Sequence, residues 1–159
     1  MSHPDEKINT LLTIMRHREE LTDGIESLVQ DLRQRARKHD RSKIRLGEFE
    51  GFSQINGSAR EHPYGSDGYR EALKSQRGPD GCLTLHFSRN SHHPEYYDNP
   101  ANMTFMDIIE MVIDWNAAVK TYGTNTLSDS LEVQRERLQL PETHWWLIEQ
   151  VVSYLETRP

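Results

Sequence analysis

Apolar residues repeat at helical spacing along much of this chain, and this periodicity restricts its fold more than any other feature. The segment 105–119 is apolar on nearly every side, as expected of a buried helix. No segment alternates polar and apolar residues over the length of a strand, so the sequence predicts an all-α fold. Near the amino terminus one helix face repeats at i, i+3, i+4 and i+7, with Ile8, Leu11, Leu12 and Met15.

The length of 159 residues fits one domain, and we expect residues 1–159 to form a single helical bundle. A capping box at residues 23–26 either restarts the first helical segment or only bends it. Gly, Ser and Asn cluster over residues 44–68, which predicts a long loop after the second helix, with at most a short helical turn near residues 48–52. Two further helices are predicted at residues 128–139 and 142–156.

The charge distribution restricts the partners of the chain. The net charge is −6, although residues 33–45 alone carry seven Lys/Arg and one Asp. An acidic surface repels a phosphate backbone, so general nucleic-acid binding is not expected, whereas the basic segment could still attract a small anion.

The hydropathy of the chain predicts neither a membrane span nor a secretion signal. The mean hydropathy is −0.82, and the first 30 residues lack the apolar stretch of a secretory signal. Cys82 is the single cysteine, so no intramolecular disulfide can form. These features predict a cytoplasmic protein.

Histidines and acidic residues lie on or next to the core-facing lines of the predicted helices. A buried carboxylate needs a cationic partner, and a divalent metal satisfies several carboxylates and imidazoles at once. Nitrogen and oxygen ligands without thiolate favour Mn, Fe, Co, Ni or Zn. Three acids also follow one line of the apolar helix, at Asp107, Glu110 and Asp114. The candidate metal ligands are His17, His39, Asp40, His86, His92, His93 and Asp114.

The order of these residues resembles the HD-domain superfamily of metal-dependent phosphohydrolases. The resemblance implies a helical bundle with a central metal site, in which His17, His39, Asp40 and Asp114 hold one divalent ion. In two-metal branches, additional histidines hold a second ion, and His86, His92 and His93 match them by position. The Gly-Tyr-Pro element of the cyclic-dinucleotide branch is missing after His93, which argues against that class of substrate.

A closer resemblance joins the chain to an uncharacterised family of small phage and bacterial proteins, a domain of unknown function. The resemblance covers about residues 14–120, and residues 128–157 add no recognised signal. It rests on His39-Asp40-x-Ser42-Lys43, Glu48-Phe49, His86-x-x-x-Asn90-x-His92-His93-Pro94-Glu95-Tyr96 and Glu110-Met111-x-x-Asp114-Trp115.

The predicted chemistry is hydrolysis of a small phosphorylated compound by water that one or two metal ions activate. Asp40 could bridge two ions, and Lys43, one turn beyond His39, could contact a phosphate oxygen. Glu48 could orient the water or protonate the leaving group, and Arg89 is a second candidate for binding phosphate. A nucleotide is the substrate class that the wider superfamily suggests.

Two other functions stay open at this stage. Some HD-like bundles use the same ligand set as di-iron oxygenases, and a third reading is a non-catalytic binding or assembly protein stabilised by its metal. The sequence also leaves open a homodimer through the Trp145-Trp146 face of the last helix, or simple closure of the core by that face.

Overall fold

The computed structural model describes residues 4–45, 47–59, 61–62, 66–122 and 126–157. Within these residues the chain forms seven α-helices, four short 3-10 helices and no β-strand, which confirms the predicted all-α class. None of the described helices is both long and apolar enough to cross a lipid bilayer. The chain divides into two compact units, residues 1–39 and residues 40–159.

The first unit is built around helix α1, Pro4–Lys38. Acidic residues occupy its first turn and basic residues its last turn, as the helix dipole favours. The helix continues through Gly24, so the capping box at residues 23–26 does not start a second helix. The amide of His39 still donates to the carbonyl of Arg35, at 2.7 Å.

The second unit holds the other six α-helices. It begins with a 3-10 helix, Arg41–Ile44, and includes further 3-10 helices at Ser75–Arg77, Pro94–Tyr96 and Pro100–Asn102. The α-helices are α2 (Phe49–Ala59), α3 (Asp67–Lys74), α4 (Cys82–Arg89), α5 (Phe105–Tyr122), α6 (Leu127–Arg137) and α7 (Glu142–Glu156). Gly123, a residue type that commonly ends a helix, lies outside the described residues.

Helices α5, α6 and α7 share one apolar cluster. Val112 of α5 and Ile148 of α7 are completely buried there, and Trp145 closes the cluster from α7. Trp146, the next residue along α7, is 63% exposed because it points away from the cluster. The two tryptophans therefore have different roles, one in the core and one on the surface.

Helices α2, α3 and α4 form a second, smaller apolar cluster of Ile55, Leu73, Cys82 and Leu83. Helices α2 and α4 approach closely at Gly51, where a Cβ atom would lie 2.6 Å from Cβ of Cys82. This position therefore requires glycine. The close approach also brings His86, one turn after Cys82, towards the beginning of α2.

The prediction of a loop over residues 44–68 is wrong for Phe49–Ala59, which forms α2. Glycine, serine and asparagine have low helix propensity, which is why the sequence predicts a loop there. Burial of Ile55 and Phe52 against the α4 cluster stabilises the helix despite that composition. Residues 63–65 of the predicted loop lie outside the described residues.

Candidate metal centre

Three histidines converge inside the second unit. His86, His92 and His93 are 1%, 4% and 8% exposed, and one ring nitrogen from each lies within 4.8 Å of the others. The ring centroids are 4.9 Å apart for His86 and His93, and 4.2 Å apart for His92 and His93. Three buried imidazoles at this spacing could hold a metal ion.

Two elements bring these histidines together. His86 lies on α4, which ends at Arg89, and Asn90 has extended backbone geometry. Helix α4 therefore does not extend to His93. Instead the chain turns after Asn90, where the amide of His93 donates to the Asn90 carbonyl at 3.0 Å. This turn folds the His92-His93 pair back against His86.

Asp40 lies on the same side of the cluster as the Nε2 atom of His86. Its Oδ1 is 3.1 Å from Nε2 of His86 and 3.9 Å from Nε2 of His92. Its backbone is left-handed, with φ of 56°, which aspartate tolerates better than most residues and which turns the chain out of α1. The sequence predicted Asp40, His86, His92 and His93 as ligands, and the structure brings these four side chains together.

The other ring nitrogen of His86 is held by polar groups. Nδ1 lies 2.9 Å from Oγ of Ser42, 3.1 Å from Nδ2 of Asn90 and 3.3 Å from Oε2 of Glu48. An ionised carboxylate only accepts hydrogen bonds, so Glu48 accepts from Nδ1 of His86 in the tautomer that carries the ring proton on Nδ1. In that tautomer the lone pair of Nε2 faces Asp40, the arrangement that a metal ligand requires.

Glu48 lies on the Nδ1 side of the His86 ring. It is 3% exposed, and its Oε1 lies 3.6 Å from Nη1 of Arg89, which is itself 61% exposed. Glu48 therefore contacts the His86 ring. The guanidinium of Arg89 places a positive charge near the Glu48 carboxylate. The catalytic role predicted for Glu48 and the phosphate-binding role predicted for Arg89 stay predictions.

The electrostatics of the cluster keep His93 neutral. Burial, reinforced by the neighbouring His92 and His86 and by Lys43, lowers the pKa of His93 to about 2. Among the described residues, Nε2 of His86 and Nε2 of His93 are buried without a hydrogen-bond partner. Buried imidazoles with a nearby carboxylate fit the nitrogen and oxygen donor set of a divalent transition metal.

The cluster is more open on the side of Asp40 and Lys43. The side chains of these two residues are 26% and 32% exposed and form a salt bridge, whereas the three histidine side chains are largely enclosed. The ammonium group of Lys43 also lies 5.1 Å from the centre of the Phe52 ring. A ligand from solvent would therefore meet Lys43 and Asp40 first.

Helix α5 contributes acidic residues to the opposite side of His92. Oε1 of Glu110 lies 3.6 Å from Nδ1 of His92, and Asp114 follows one turn later on the same helix face. Asp107, one turn before Glu110, accepts hydrogen bonds from residues that flank the histidine pair. Sequence reasoning found the line of three acids but assigned no role to Asp107, Glu110, Ser42 or Asn90.

The remaining predicted ligands, His17 and His39, belong to the first unit. His17 lies near the middle of α1, and His39 follows its last residue and directly precedes Asp40 in the chain. Their role as ligands stays a prediction.

The second unit is thus an all-helical domain with a buried cluster of histidines next to acidic residues. The chain belongs to the family described as "Family of unknown function (DUF5662)", whose model matches residues 6–158. Comparisons with curated proteins and with solved structures gave no match.

Proposed function

We propose that this protein is a metal-dependent phosphohydrolase that acts on a small phosphorylated compound. The observation that carries the proposal is the convergence of three buried imidazoles with Asp40, next to a partly exposed lysine. The nucleotide class of substrate rests on the resemblance to HD-domain proteins alone.

The proposed ligands are His86, His92, His93 and Asp40. Their ring nitrogens and carboxylate oxygen lie close together, and Asp40 also forms a salt bridge with Lys43. By resemblance, His17, His39 and Asp114 extend this set and would allow one or two ions. When bound, a divalent transition metal supplies a water of lowered pKa, which serves as the nucleophile near neutral pH.

The residues of the chain orient the reaction around that site. Lys43 lies on the exposed side, where it donates to a phosphate oxygen as a point charge. Glu48 would accept the Nδ1 proton of His86 when Nε2 is a ligand, and so orient the ring. Oε1 of Glu110 lies 3.6 Å from Nδ1 of His92, where it would orient that ring in the same way.

The test is hydrolysis of a generic phosphoester, p-nitrophenyl phosphate, by the full chain with Mn²⁺ or Co²⁺. Asp40→Ala is expected to lose both metal and activity, whereas Asp98→Ala, at an exposed aspartate outside the cluster, is expected to retain both. Retained activity in Asp40→Ala would overturn the proposal.

The same preparation distinguishes the other two functions. Metal that raises the melting temperature without turnover of any phosphoester indicates a metal-stabilised binding or assembly protein. Bound iron with substrate-dependent oxygen uptake indicates an oxygenase. Either result excludes phosphohydrolase activity as the function of the site.

A further inference from the structure

The carboxylate of Asp107 is buried at the beginning of α5 and accepts hydrogen bonds from three residues. Oδ1 accepts from the hydroxyl of Ser91 at 2.7 Å. Oδ2 accepts from the hydroxyl of Tyr97 at 2.7 Å and from both the amide and the hydroxyl of Thr104. The side chain is only 2% exposed, so these donors replace the water that an exposed carboxylate would bind.

Two of these donors stand at the ends of the segment that carries the histidine pair. Ser91 directly precedes His92, and Tyr97 follows the 3-10 helix that begins after His93. A single carboxylate therefore ties both ends of residues 91–97 to the first turn of α5. The same helix places Glu110 beside Nδ1 of His92, one turn further along.

Capping α5 does not by itself require a buried carboxylate with additional donors from Ser91 and Tyr97. Thr104 and Asp107 form a reciprocal pair at the start of α5, and Thr126 and Asp129 form a complete capping box at the start of α6. Asp129 caps its helix from an exposed position, where the carboxylate keeps its hydration. Burying Asp107 is costlier, and the added donors Ser91 and Tyr97 compensate for that cost only because the loop is held in place.

We infer that Asp107 is a positioning residue of the metal centre: it fixes residues 91–97 and thereby sets the position of His92 and His93 relative to His86. The metal-binding part of this inference rests on the proposed function. The effect of Asp107 on the position of the histidine rings can be tested in metal-free protein.

The experiment compares the full-length wild type with Asp107→Asn, the double variant Ser91→Ala/Tyr97→Phe, and the matched control Asp129→Asn. Long-range ¹H–¹⁵N spectra of the metal-free proteins report the tautomer and environment of each histidine ring. Titration with Co²⁺ by calorimetry reports metal affinity. The double variant leaves the α5 cap in place, so it decides the question if Asp107→Asn does not fold.

We expect Asp107→Asn and the double variant to shift the ring signals of His92 and His93 and to weaken Co²⁺ binding about ten-fold or more. Asp129→Asn is expected to change neither the histidine ring signals nor the Co²⁺ affinity, even if it lowers the melting temperature. Ring signals of His92 and His93 that match the wild type in the double variant would overturn the inference. A wild type that binds no Co²⁺ would instead count against the proposed function, and the spectra would still decide the positioning role.

Discussion

Nε2 of His86 lies 3.1 Å from Oδ1 of Asp40, inside a cluster that also contains two further imidazoles. Glu48 lies on the other side of the same ring, 3.3 Å from Nδ1. Under the proposed function, a cation would be held between Nε2 and Oδ1. The proposal therefore predicts that metal binding stabilises the second unit.

Added metal is expected to stabilise the folded chain. At a Co²⁺ concentration of about 100 times the Kd, the free energy of unfolding should rise by about 2.7 kcal/mol. Asp40→Asn removes the charge but keeps a residue that tolerates the left-handed backbone, so most of this gain should be lost. Thermal unfolding with and without Co²⁺ measures it, and Asp98→Asn is the control. An equal gain in Asp40→Asn would exclude Asp40 as a ligand.

The left-handed backbone of Asp40 predicts a difference between two variants that both lack the carboxylate. A Cβ atom at φ of 56° is unfavourable in alanine, whereas glycine adopts this conformation freely. Asp40→Gly should therefore be more stable than Asp40→Ala by about 1 kcal/mol. Urea denaturation of the two metal-free variants measures the difference, and a more stable alanine variant would contradict it.

Glu48 should act on metal affinity through His86. Glu48→Gln replaces the carboxylate beside Nδ1 of His86 by an amide, and Co²⁺ binding should weaken about ten-fold. Glu50→Gln, at an exposed position two residues later on α2, is the matched control and should bind as the wild type does. Calorimetric titration of both variants distinguishes this role from a purely catalytic one, which would lower turnover and leave affinity unchanged.

The stability of the metal-free protein should fall in acid because of His93. Burial lowers the pKa of His93 from its ordinary 6.5 to about 2, so below pH 6.5 only the unfolded chain takes up a proton there. This residue then lowers the free energy of unfolding by up to about 1.4 kcal/mol per pH unit, and it contributes no pH dependence above pH 6.5. Urea denaturation at pH 7.5, 6.0 and 5.0 measures the slope. A slope that His93→Gln does not reduce would contradict the assignment.

The two adjacent tryptophans of α7 should respond differently to substitution. Trp145 is 3% exposed, and Trp145→Ala should cost about 3–5 kcal/mol of stability. Trp146 is exposed, and Trp146→Ser should change stability by less than about 0.5 kcal/mol. Sedimentation velocity of Trp146→Ser also tests the homodimer: an assembly that uses this face should dissociate, and an unchanged sedimentation coefficient would exclude that interface.

Much of the helical framework could be predicted from periodicity. The pattern from Phe105 onwards predicts α5, and the two C-terminal helices begin and end within about two residues of their predicted positions. Thr104, a residue type that is preferred at helix starts, does cap α5. Helix α2 was missed because its stability comes from contacts with α4, which local composition does not contain.

The candidate site could be predicted only in part, for the same reason. The spacing of histidines and acids indicated Asp40, His86, His92 and His93, because residues of this type rarely lie near a core without a partner. The contacts of Ser42 and Asn90 with His86 depend on how α4 meets the 3-10 helix Arg41–Ile44, and no local pattern reports that. The role of Asp107 likewise depends on the path of the chain after Asn90.

The shared anchoring of residues 91–97 and the first turn of α5 has a consequence for the kind of ligand the histidines can accept. By the inference drawn for Asp107, separating the pair from His86 would require the first turn of α5 to unwind and the buried carboxylate to give up its donors. A site of that kind would suit a small ion between the rings and exclude a larger molecule. A larger molecule would then have to be recognised outside it.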